Sequence, residues 1–382
     1  MSLKLAGVIL GIIVLIGAAL TLSGRFNPQN PSENGTVCTQ DVELCPDGSY
    51  VGRVPPDCKF AQCPKENNSA RFSVVAENLE IPWALAFLPD DRMLVTERPG
   101  RVRMVDQNGN ITLIATITSV KHIGEGGLLG IAVHPDFEKN RFIYLYYTFS
   151  GSGDNSLNRV ARYKMENDQL VREQIIVNNI PGASNHNGGR IKFGPDRLLY
   201  ITTGDAGNPS QAQDKNSLAG KILRVTHEGK VEVYSYGHRN PQGLAWDSSG
   251  RLWATEHGPS TKDELNAIEI GKNYGWPTIQ GDEKRDGLET PVINSGSGTW
   301  APAGAAFLNG KIYFGALRGE VLFQYDISTG TLKEQFKGQF GRIRDVVLGP
   351  DNFLYITTSN RDGRGAVQAG DDKIIRIDPQ KI

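Results

Sequence analysis

The chain has 382 residues, which at roughly 150 residues per domain is one large domain or two ordinary ones. Its 41 Lys+Arg and 42 Asp+Glu leave a net charge of −1, so no global basic field is present to hold phosphates, and a general nucleic-acid binder is excluded. With 44 Gly and 20 Pro the chain turns often, which argues against a helical bundle and for many short strands.

From Leu5 to Leu22 the sequence LAGVILGIIVLIGAALTL carries no charge, and about 20 such residues cross a bilayer core. Residues 1–25 therefore read as a membrane anchor. A cleavable signal peptide is the alternative, with Lys4 as its positive start and Ala18-Ala19 as small residues near a cleavage point.

Residues 26–70 hold all four cysteines, Cys38, Cys45, Cys58 and Cys63, in a turn-rich stretch that ends in a polar linker. Their spacing is too wide for the close pairs of a zinc site, so they read as a small disulfide-stapled module. Four cysteines allow three pairings, and the spacing does not choose among them. Anchor and cysteines together place the rest of the chain outside the cytoplasm, membrane-anchored or secreted.

In residues 71–382 one phrase recurs: a small or apolar lead, a short apolar run, a Pro-Asp or Gly turn, then a second strand. It stands as ALAFLPDDRMLVTE from Ala84, GIAVHPDFEKNRFIYLYY from Gly130, RIKFGPDRLLYITTGD from Arg190, GLAWDSSGRLWATEHG from Gly243, GAAFLNGKIYFGAL from Gly304 and DVVLGPDNFLYITTSN from Asp345. The intervals are roughly 40 to 60 residues, the range of blade repeats. Each copy reads as a β-hairpin, and no stretch between copies has a long helical period. The expected fold is all-β, a six-bladed β-propeller. Phe72 to Val75 and Lys373 to Ile377 are strand-like ends expected to share the last blade.

Polar clusters flank these phrases. His186 sits in NHNGGR, beside glycines that permit close backbone approach to a ligand, and Asp205 in TGDAG ends the strand that follows. An Asp there either caps a turn or orients His186 as a general base. Arg239 and Asn240 lie in YGHRNPQG, and Gly258, Pro259 and Glu264 in EHGPSTKDE, with Tyr274 in NYGWP. Carboxylates among turn carbonyls suit a hard cation such as Ca²⁺, although the spacing is not that of an EF-hand. Arg318, Arg342 and Arg344 surround the last two phrases and suit an anion with several carboxylates. The Gly-rich stretches do not open helices, so a nicotinamide-binding fold is excluded.

In order and spacing, IPWALAFLPD, EGGLLGIAVHPDF, HNGGR, TGDAG, YGHRNPQGLAW, EHGP with DELN, KNYGWP and RIRDVVLGPD resemble the soluble pyrroloquinoline quinone (PQQ) dependent sugar dehydrogenases, in the aldose sugar dehydrogenase branch. The resemblance runs from about residue 71 to residue 379 and leaves the anchor and the cysteine module unexplained. It implies PQQ and calcium at one end of the propeller, and oxidation of an aldose at its anomeric carbon to a lactone. His186 would be the base while hydride passes to PQQ, Asp205 would orient it, and Arg239 would polarise the reacting quinone oxygen.

Asn240 would contact the cofactor, and Arg342, Arg344 and Arg318 (where the family often has Lys) would bind its carboxylates. Backbone carbonyls of Gly258 and Pro259 would hold calcium, with Glu264 and the Tyr274 carbonyl at a further calcium site. Glu125 stands in EGGLLG where some relatives carry Gln near the active site, and a carboxylate there would disfavour an anionic reduced cofactor. The short loops between phrases imply an open site that accepts many sugars. The partners implied are an aldose, an external electron acceptor and the membrane. A non-catalytic extracellular binding propeller and a calcium-dependent lactonase are the competing readings.

Overall fold

The computed structural model describes residues 38–44, 50–62 and 71–382. The chain divides into two compact units, Met1–Ser69 and Ala70–Ile382. In the first, Val42–Leu44, Tyr50–Val54 and Lys59–Phe60 form a three-stranded sheet. With so little apolar surface to bury, that sheet is held by a Cys38–Cys58 disulfide. Arg53 adds bonds to Asp41 at 2.9 Å and to the Cys58 carbonyl at 2.8 Å. Cys45, Cys63 and the apolar run Leu5 to Leu22 lie outside the described residues. Among the described residues no helix is long and apolar enough to cross a membrane.

The second unit is all-β and propeller-like, with six four-stranded antiparallel sheets. Eight strands carry the argument: β1 (Phe72–Ala76), β2 (Pro82–Phe87), β3 (Leu128–Val133), β4 (Ile191–Phe193), β5 (Pro241–Trp246), β6 (Pro302–Leu308), β7 (Ile343–Leu348) and β8 (Ile374–Ile377). Strands β2 to β7 each open one sheet, and each sheet abuts the next until β7 meets β2. The recurring phrase is the first two strands of every sheet. The last sheet takes three strands from the end of the chain and its fourth, β1, from the beginning of this second unit. Phe72 pairs with Ile377 and Val74 with Ile375, as the strand-like ends lead one to expect.

Small leads in the phrase have a steric cause. A Cβ at Gly130 would come within 2.3 Å of the Gly189 carbonyl oxygen, and one at Gly243 within 2.3 Å of the Ala303 carbonyl oxygen. Neighbouring opening strands therefore approach backbone to backbone, which only glycine permits. The second strands of four sheets, Met93–Glu97, Leu199–Thr203, Leu252–Glu256 and Leu354–Thr358, are buried at every position. Covered on both faces, they read as continuous apolar runs rather than alternating ones.

Candidate active site

The starts of the opening strands converge on a cavity of about 520 Å³. Trp83 reaches it from β2, Glu125 from just before β3, Gly188 from before β4, Gln242 from β5, Ala301 from before β6 and Arg344 from β7. His186 lies on this wall with a left-handed φ of 54°. Its amide donates to Glu125 Oε2 at 3.3 Å and its carbonyl accepts the Ala206 N–H at 3.2 Å, which holds a conformation uncommon for a non-glycine residue.

His186 Nδ1 is 2.7 Å from Asp205 Oδ1. Asp205 is fully buried, and its oxygens also accept the Gly207 N–H and the Trp276 indole N–H, each at 2.8 Å. Burial alone would raise this carboxyl, but the bonds from His186, Gly207 and Trp276 outweigh it and hold the pKa below the ordinary value. An ionised carboxylate only accepts, so Nδ1 is the ring nitrogen that donates to Asp205, and Nε2 is the one left for a ligand.

Arginine dominates the rest of the wall. Arg239 donates from Nη1 to the His257 carbonyl at 3.3 Å and lies 5.3 Å from the Trp276 ring centroid. Burial lowers its pKa. Its own amide bonds the Glu256 carboxylate, which also takes His238 Nδ1 at 2.8 Å. Arg344 is buried and donates to Gln242 Oε1 at 2.9 Å, and burial pulls its pKa down to about 9. Arg318 is exposed at the cavity edge. Arg342, expected beside Arg344 as an anion ligand, gives Nε and Nη2 to Asp362 at 3.0 and 2.9 Å and Nη1 to the Leu317 carbonyl at 3.0 Å. Of the two, Arg344 keeps the freer donors.

Glu125 does line the cavity, but its charge is met by Arg364 at 2.9 Å. Burial opposes ionisation there. The Arg364 bond, with His257 and the His186 amide, overrides it and holds the carboxyl at about 2. Arg364 has no counterpart among the motifs read from sequence, whereas Trp83, His257 and Gln242 stand inside quoted motifs without a role assigned to them. The loop that holds Arg364, between Thr358 and β8, gives a partial signal in being long and rich in Arg and Gly.

Gly258 and Pro259 line both the main cavity and a small one of about 10 Å³, where Glu264 and Tyr274 join them with Glu256. The four residues expected at cation sites are thus brought together. Burial first, and Glu256 second, push the Glu264 carboxyl up to about 8, while bonds from the Gly281 amide at 3.0 Å and Asn266 Nδ2 at 3.1 Å oppose the rise. Asp263 turns its oxygens to backbone amides of Gly258, Trp300 and Ala301 at 2.8, 2.6 and 2.9 Å, so it organises the loop. Among the described residues no group of three or more His, Cys, Asp or Glu converges as a metal cluster.

Comparison with known proteins places this architecture. Residues 79–367 match the model of the family described as glucose/sorbosone dehydrogenase. Aldose sugar dehydrogenase YliI of Escherichia coli is 32% identical over 77% of this chain and 91% of its own. Quinoprotein glucose dehydrogenase B of Acinetobacter calcoaceticus is 33% identical over 58% of this chain and 55% of its own. The solved PQQ-bound aldose sugar dehydrogenase from Streptomyces coelicolor is 39% identical with a TM-score of 0.77, covering 80% of this chain and 96% of that one. By fold, by the order of its motifs and by these matches, the chain belongs to the glucose/sorbosone dehydrogenase family.

Proposed function

We propose that the chain is a PQQ- and calcium-dependent aldose sugar dehydrogenase that oxidises the anomeric carbon to a lactone, with its six sheets as six blades around the site. The observation that carries this reading is the His186–Asp205 pair at 2.7 Å on the wall of an arginine-lined cavity.

The residues present fit PQQ, whose carboxylates and quinone carbonyls are all acceptors. Arg239 Nε, Asn240 Nδ2 and Arg344 Nε are buried donors with no partner in the protein, and buried donors are costly to leave unpaired. Arg344 and Arg318 would hold the carboxylates with Arg342 behind them, and Arg239 the carbonyl edge, with Asn240, which is buried and not part of the cavity lining, supporting Gly188 and Gln242 on the wall. For calcium the fit differs between the two cavities. In the main cavity Asp263 is committed to amides and Glu125 to Arg364, so the carbonyls of Gly258 and Pro259 and the cofactor's own oxygens would be the ligands. In the small cavity the buried, proton-retaining Glu264 gains most from a cation, together with the Tyr274 carbonyl.

Bound PQQ supplies the acceptor for the anomeric hydride, and bound calcium supplies a Lewis acid. His186 Nε2, the ring nitrogen not held by Asp205, takes the proton of the anomeric hydroxyl. Asp205 holds the ring and stabilises the imidazolium that results. Trp276 fixes Asp205 through its indole N–H, and Glu125 fixes the His186 amide.

The uncharged run from Leu5 to Leu22 and the oxidised Cys38–Cys58 pair support placement outside the cytoplasm, anchored or secreted, with an external electron acceptor. The test is dye reduction by the full chain with PQQ, calcium and glucose, beside His186→Ala. PQQ-dependent reduction that vanishes in the variant is expected. A folded, calcium-loaded protein that binds no PQQ would overturn the reading and leave a binding propeller.

A further inference from the structure

The main cavity lies against the starts of the opening strands. Beside the later residues of β2, β3, β4 and β7 lies a second cavity of about 260 Å³. Its wall is largely hydrocarbon, including Leu85, Phe87, Val133, Phe193 and Leu348. The charged groups on it are Arg190, Lys192 and Asp345.

Arg190 and Asp345 meet at 2.9 Å. Asp345 also accepts the amides of Leu85 and Val346 at 3.0 and 2.9 Å, so both its oxygens are taken. Lys192 Nζ, by contrast, makes one long bond, to the Leu244 carbonyl at 3.3 Å, although an ammonium carries three N–H donors. On the elements packed around it, Tyr200 pairs with Lys192 across the strand and is bonded to Asp196 at 2.9 Å, and His134 rests on Phe193. No carboxylate among these is left to meet the ammonium. Burial pushes Lys192 down to about 8; Asp345 pulls up against it and Arg190 adds to the depression.

We propose that this second cavity is a binding site for a monocarboxylate bearing an apolar chain or ring, its head group on Lys192 and its hydrocarbon against Phe87, Phe193 and Leu348. An apolar pocket with one convergent polar group is the usual form of a small-molecule site. Lys192 is the one cation on this wall with no carboxylate bonded to it, which selects a monoanion, and Arg190 Nη2, buried without a partner, is a further donor there. A neutral ligand leaves the ammonium unmet, and a dianionic phosphate brings a second charge with no partner. The site is separate from the His186 cavity and does not depend on the redox reading.

Calorimetric titration of the full chain with octanoate, without PQQ or sugar, tests it. Single-site binding near pH 7 is expected, weakened about tenfold or more in Lys192→Met and again above about pH 8, where the ammonium loses its proton. Bound octanoate should also protect Lys192 in the wild-type chain from acylation by an anhydride, read by peptide mass spectrometry. That second readout stands even where the variant fails to fold. Absence of binding, equal binding by Lys192→Met, equal binding of octanol, or an unprotected Lys192 would each overturn the proposal.

Discussion

His186 and Asp205 are joined by a 2.7 Å contact, and the same carboxylate is anchored on its other oxygen by Trp276, 71 residues further along the chain. Because the carboxylate can only accept, it dictates which imidazole nitrogen bears the proton. Asp205→Asn is expected to leave the fold intact and lower kcat by about 10²-fold to 10⁴-fold with KM little changed. Trp276→Phe, which loosens the anchor alone, should cost less. Steady-state kinetics of the PQQ-loaded proteins decide both.

Glu125 links the base to the cavity mouth. Glu125→Gln keeps an acceptor for the His186 amide, whereas Glu125→Ala leaves that donor unmet at a cost of about 1–3 kcal/mol. Turnover should therefore fall more in the alanine variant. The depressed carboxyl contributes stability that is present above its ordinary pKa of 4.5 and lost as pH falls toward about 2. Arg364→Ala should reduce that contribution, which urea titrations compared at neutral pH and at pH values between 4.5 and about 2 will show as a shallower loss on acidification.

Glu264 has the opposite sign. Its folded pKa of about 8 exceeds the ordinary 4.5, so its favourable contribution is complete below 4.5 and is lost as pH rises toward 8. In calcium-free buffer above pH 8, Glu264→Gln should melt higher than the parent protein. Calcium should raise the melting temperature of the parent more than that of the variant. Scanning calorimetry with and without chelator measures both effects.

Arg190 and Asp345 form a buried pair between the two cavities, with side-chain exposures of 8% and 3%. Removing either partner strands the other, so Arg190→Ala or Asp345→Ala should destabilise by about 3–5 kcal/mol in denaturant unfolding. The double variant should lose less than the sum.

What the sequence disclosed follows from physical repetition. Every sheet must bring a small residue against its neighbour and bury a strand on both faces, so Gly130 and Gly243 and the runs after them recur as one phrase. Outer strands carry no such demand: Gln169–Pro181 is mostly exposed and leaves no periodic trace. His186 and Asp205 were legible because each sits in a short polar motif at a strand end. Partnerships between distant loops were not. Glu125 and Arg364 are 239 residues apart, and nothing local to RIRD announces that Arg342 will be spent on Asp362 rather than left for a ligand.

The seam between β1 and β8 sets the order in which the molecule can be completed. On the ribosome β1 emerges early and waits, its edge unpaired, until Ile374–Ile377 has been made. Five sheets can assemble from contiguous chain, but the sixth cannot, so trimming a few residues from the carboxyl end would strand a segment near the amino end. In the Ala70–Ile382 unit alone, joining β8 directly to β1 and opening the chain within the turn before another sheet should therefore speed folding while leaving the six finished sheets unchanged.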